Sequence, residues 1–88
     1  MDYVYIFTGA NATFPAATFS SFSAAHQWIQ QNQLTGVLNK MPLDISVYDW
    51  AIERDFFEPK NDHQKTPRFI QSFSCAAIEH WHYEKGVF

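Results

Sequence analysis

Nine Phe, four Tyr and three Trp in a chain of 88 residues constrain this fold more than any other feature. A chain of that length buries only about 60–65% of the surface it exposes when unfolded. Its core must therefore come from side chains with large apolar area, and each ring supplies ~150–250 Å². That leaves little room for a deep internal active site beside the core. One compact domain covering residues 1–88 is expected.

The single cysteine, Cys75, excludes an internal disulfide. A small protein that folds without disulfides fits a reducing compartment, so a cytoplasmic location is expected. The N-terminal MDYVYIF has neither a basic start nor a long apolar stretch, unlike a signal peptide. No apolar run approaches the ~20 residues that span a bilayer. The formal net charge is −3, and the six basic residues are scattered at Lys40, Arg54, Lys60, Lys65, Arg68 and Lys85. Nucleic-acid binders cluster their Lys and Arg, so neither nucleic acid nor a membrane is expected as a partner.

Local patterns set the elements. Residues 3–7, Tyr-Val-Tyr-Ile-Phe, have high β-propensity and no polar alternation, as in a strand covered on both faces. Gly9 and residues 11–13 mark a turn, Pro15 argues against a central strand there, and residues 17–19 pair back as a hairpin. Ser21 caps a helix over 22–32 whose Phe22, Ala25 and Ile29 share a face, with Asn32 suited to a left-handed stop. Residues 36–40 form a strand ended by Pro42. Ser46 and Asp49 have capping-box spacing at the start of a second helix. Val47, Tyr48, Ala51 and Ile52 form its apolar face, with Asp49 and Glu53 opposite and Trp50 beside them. That helix ends near Arg54, where Asp55 tolerates the left-handed region. Residues 58–66 are polar loop. Thr66-Pro67 opens a third helix that buries Phe69, Ile70 and Phe73. Residues 77–83 close the chain as a strand, with Ile78, His80 and His82 on one face and Glu79, Trp81 and Tyr83 on the other. The order β-β-α-β-α-α-β predicts an α+β fold: a small, mainly antiparallel sheet with helices packed on one face.

Chemical signatures are sparse. His80 and His82 point the same way on a strand and would bind Zn²⁺ only with a third ligand such as His63, His26 or an acid. Ser20, Ser21, Ser23 and Cys75 lie in no nucleophile motif, and three glycines form no phosphate loop. No catalytic residue, cofactor or metal site is expected.

Residues 41–60 stand apart. Asp2 is the only Asp, Glu, Lys or Arg among the first 39 residues, whereas this segment holds five of the nine carboxylates. They are Asp44, Asp49, Glu53, Asp55 and Glu58, interleaved with Trp50 and Phe57. Binding hot spots favour large aromatic anchors, and clustered like charge selects an oppositely charged partner. These seven residues are the candidate partner-binding face.

The strings Pro42-Leu43-Asp44 and Val47-Tyr48-Asp49-Trp50-Ala51-Ile52-Glu53, with Phe14-Pro15, Trp28-Ile29, His63-Gln64, Pro67, Phe69-Ile70, Glu79-His80 and His82-Tyr83-Glu84, run through nearly the whole chain. In them the chain resembles a domain-of-unknown-function family of small bacterial proteins. That resemblance implies a fold and no established activity. In type, a small acidic domain without catalytic groups is similar to the immunity proteins of toxin–immunity pairs, which implies a protein partner such as a basic toxin or nuclease domain. The alternatives are a small metal-binding protein or enzyme using His80 and His82, and a homo-oligomeric regulatory protein.

Overall fold

Eight segments take regular form in the computed structural model, which describes residues 2–88. They are β1 (Tyr3–Gly9), β2 (Ala17–Phe19), α1 (Phe22–Gln31), β3 (Gly36–Pro42), α2 (Val47–Glu53), a 3₁₀ turn (Asp62–Lys65), α3 (Pro67–Gln71) and β4 (His80–Tyr83). The strands form one sheet in the order β2-β1-β3-β4, and every neighbouring pair is antiparallel. The fold is α+β, in the order that the sequence patterns predict.

Strand register sorts the side chains onto two faces. Tyr5 lies opposite Phe19, Phe7 opposite Leu38, and Leu38 opposite Trp81, so these rings share one face. Helix α1 packs there. Ala25, Ile29 and Leu38 are fully buried, with Phe7 and Tyr83 beside them. Trp28 meets Phe7 edge-on at 5.6 Å and Phe19 at 5.5 Å. The Tyr83 hydroxyl lies 2.7 Å from His26 Nδ1, which satisfies the one polar atom that this buried ring carries in. Burial pushes the Tyr83 phenol above its ordinary pKa, because the phenolate would be stranded from water.

A second core forms at the Tyr3–Pro42 end of the sheet. Trp50, Ala51 and Ile78 are buried there, with Met41, Ile45, Val47, Phe57, Phe73 and Cys75 packed against them. The Tyr48 hydroxyl donates to the Gln64 carbonyl at 2.8 Å and ties the 3₁₀ turn down onto α2. Two cores laid end to end make the molecule 46 × 28 × 18 Å.

Caps explain where the helices start and stop. Ser21 Oγ accepts from the Ala24 amide, and Thr66 Oγ1 from the Phe69 amide. At α2, the Asp49 amide donates to Ser46 Oγ at 3.0 Å, and that hydroxyl donates to Asp49 Oδ2 at 2.9 Å. Both bonds vanish in Ser46→Ala, which should lower stability by about 1 kcal/mol in a urea titration. Helix α2 ends in a Schellman turn: Asp55 is left-handed at φ 62, its amide bonds Ile52 O, and the Phe56 amide bonds Ala51 O.

Four local expectations shift. Gln33, at φ 52, takes the left-handed position after α1, while Asn32 keeps a negative φ and turns its side-chain amide to Trp28 O. The closing strand begins at His80 because residues 75–78 turn, with the Ile78 amide on Cys75 O, to carry Ile78 into the second core. Ile70 stands 38% exposed, since α3 has only five residues and turns Phe69 inward instead, with Phe73 beyond its end packing on the same rings. Finally, β1 carries apolar side chains on both faces, but α1 covers only the one bearing Tyr5 and Phe7.

Candidate functional site

The acidic segment wraps α2 and the turn that follows it. Asp44, Asp49, Glu53, Asp55 and Glu58 are all exposed. Ion pairs join Lys40 to Glu79 at 3.8 Å and Lys60 to Glu58 at 3.3 Å. Neither of these involves Asp44, Asp49, Glu53 or Asp55, and all four stand exposed to solvent. Asp44 and Asp55 both occupy left-handed backbone, at φ 63 and 62, a conformation that acidic and amide residues tolerate better than most.

The aromatic half of the predicted face is revised. Trp50 is only 5% exposed. Its Nε1–H points at the Tyr3 hydroxyl, 3.4 Å away, and the Arg54 guanidinium lies 5.3 Å from its ring. A helical wheel places Trp50 beside the acids because it assumes one buried stripe. Helix α2 is instead wedged between two neighbours. Tyr48 faces Phe69 and Phe73, while Trp50 faces Tyr3 of β1 and shares a core with Ala51 and Ile78. Phe57 is half-buried, 4.7 Å from Phe73 and 5.9 Å from Phe69. Neither ring stands free as an anchor.

Phe56 does, at 57% exposure. The Schellman turn reverses the chain at Asp55, so consecutive rings part company: Phe57 goes inward and Phe56 stays outside, its ring centre 5.6 Å from that of the buried Trp50. Ile52, Asp55, Phe56, Phe57, Glu58 and Lys60 line a shallow depression of about 670 Å³. The signal for Phe56 was present in the sequence as the residue after a left-handed Asp. Only the direction of the turn shows which of the two rings is left outside.

The histidines do not converge. His80 Nδ1–H donates to Ile78 O at 2.9 Å, because a carbonyl only accepts, and this leaves Nε2 with the lone pair. The His80 and His82 rings meet edge-on at 5.1 Å. His26 is engaged with Tyr83, and His63 packs on Phe69. Among the described residues no group of three or more His, Cys, Asp or Glu stands close enough to hold a metal ion. Cys75 is half-buried in a groove of about 500 Å³ with Met41, Val47, Phe73 and Ile78. Among the described residues, no helix is long and apolar enough to cross a membrane.

A family model described as a domain of unknown function, DUF7710, matches residues 4–88. The chain belongs to the DUF7710 family. No curated protein and no solved structure shows significant similarity to it. The DUF7710 match spans the sheet, both cores and the acidic rim together, so the candidate face is part of the family domain and not an appendage to it.

Proposed function

We propose that this DUF7710 domain is a cytoplasmic protein-binding module, not an enzyme, and that it holds a basic partner surface against the acidic rim of α2. The observation that carries this reading is Phe56: a ring left 57% in water within a segment that holds five exposed carboxylates. A large ring in water costs free energy until a partner covers it, and hot spots are built from such anchors ringed by weaker contacts. The surrounding charge speeds encounter and rejects acidic competitors. Asp44, Asp49, Glu53, Asp55 and Glu58 supply the field, and Phe56, packed on the buried Trp50, replaces it as anchor.

The partner class that fits is a cationic protein domain. Small size, acidic charge and the absence of catalytic motifs are shared with immunity proteins, so a basic toxin domain is the partner we infer. Glu53→Lys with Glu58→Lys tests this, since both positions are exposed and the Glu58–Lys60 pair contributes little in solvent. Asp49 is a poor choice for the test because its carboxylate helps cap α2. The partner captured from the native host by the wild-type domain should bind the double variant about tenfold or more weakly at low salt, with the gap closing as salt screens the charges. The melting temperature should not move. Equal affinity for both proteins at low salt would remove the acidic rim as the binding face.

A further inference from the structure

We propose that the uncovered face of the sheet is a homodimer interface, on which a second copy of this chain stacks face to face. The register places Val4, Ile6 and Thr8 of β1, Thr18 of β2, Val37, Asn39 and Met41 of β3, and His80 and His82 of β4 on the face opposite α1. Of these, only Met41 belongs to either core. No Asp, Glu, Lys or Arg stands among these nine, in a chain that has 15 such residues. A sheet face meant for water alternates polar and charged residues with the buried ones, whereas a strand apolar on both sides belongs to a sheet covered on both sides. Strand β1, with Val4 and Ile6 behind Tyr5 and Phe7, is built for two covers and has one within the chain.

The molecule offers ample surface for such a contact. The surface is 6124 Å², against about 5,400 Å² for a compact monomer of this mass. The radius of gyration is 14.6 Å, against about 12 Å for 88 residues. The elongated shape, 46 × 28 × 18 Å, accounts for the excess of roughly 700 Å². One partner of a stable interface buries about 800 Å², about an eighth of this surface.

The chemistry selects a second copy over other occupants. Nucleic acid or an anionic lipid surface would need Lys or Arg on the face, and a basic protein would need carboxylates. An isologous contact requires a surface that tolerates its own image. Val and Ile pack against themselves, and Thr, Asn and neutral His each carry both a donor and an acceptor, so no like-charge clash arises. The acidic rim lies around α2, clear of these nine residues, and stays open in the dimer.

Sedimentation equilibrium at about 10 and about 200 µM reads the outcome, because association follows mass action. Wild type should reach twice the 10.3 kDa of one chain. Thr18 and His82 lie at exposed positions on opposite edge strands, so Thr18→Glu and His82→Glu place carboxylates on the face without touching the core. Together they should return the single-chain mass with an unchanged circular dichroism spectrum. Each is also made alone, so that a folding defect in one leaves the other as the test. His82→Leu should keep the doubled mass, and so should Glu53→Lys with Glu58→Lys, which separates this interface from the acidic rim. A single-chain mass for wild type at both concentrations overturns the proposal. So does a doubled mass that survives the glutamates, which would place the contact elsewhere, such as the edge of β4.

Discussion

Trp50→Ala should destabilise the domain by about 3–5 kcal/mol, the usual cost of emptying a buried large-aromatic site. In a domain of 60–100 residues each kcal/mol moves the melting temperature by about 4–8 °C, so the variant should melt at least ~12 °C lower. The whole stability of such a domain is typically ~5–15 kcal/mol, and much of the population would be unfolded at physiological temperature. The cause is geometric. Trp50 joins the end of the sheet to the second core, with Tyr3 at its nitrogen, Arg54 over its ring and Ala51 and Ile78 in the same cluster. A surface anchor would behave otherwise: truncation would cost within ~0.5 kcal/mol of stability and show only in binding. Phe56→Ala should show that second pattern. The pair, measured by thermal melt and by partner titration, separates the buried ring from the exposed one six residues later.

Gly36→Ala should be comparably severe, costing about 3 kcal/mol or preventing folding, at the upper end for an overpacked core. A Cβ built at Gly36 falls 2.3 Å from the Thr8 carbonyl oxygen, 2.7 Å from Phe7 Cζ and 2.8 Å from Gly9 Cα. Two of those three atoms are backbone of the neighbouring strand and cannot rotate away. The third belongs to a ring that is itself buried against Leu38 and Ile29. Gly9 is the control. It pairs with Gly36 across the same ladder, yet a Cβ there meets nothing nearer than 3.9 Å, an ordinary contact. Gly9→Ala should fold and melt close to wild type. Circular dichroism of the two variants decides the point, and equal behaviour would show that the strands do not approach as closely as described.

Much of the fold is legible in the residues because its signals are local. Ser21, Ser46 and Thr66 cap helices through bonds that span three residues, and Asp55 occupies the left-handed turn for reasons internal to its own side chain. Ala25, Ile29, Tyr48 and Ala51 are buried where helical periodicity puts them. The rest was illegible for an equally physical reason. A wheel drawn for α2 allows one partner, and the helix has two, so Trp50 changes sides. Residues 77–79 read as the start of the closing strand, but the second core takes Ile78 and the chain turns there instead. At the site, all five carboxylates stand in solvent as their spacing suggests, while the ring that accompanies them is Phe56 rather than Trp50 or Phe57.

Charge distribution, helix caps, strand propensity and the order of elements are properties of short stretches, so the amino acids settle them without help from the fold. Which ring is sealed, which is left in water, which of two paired glycines is irreplaceable and which sheet face lacks a cover are decided by contacts between segments far apart in the chain. Those contacts depend on the angle at which α2 meets the end of the sheet and on the closeness of β1 to β3. No local pattern encodes either distance, because both emerge only when all the rings compete for the same small interior.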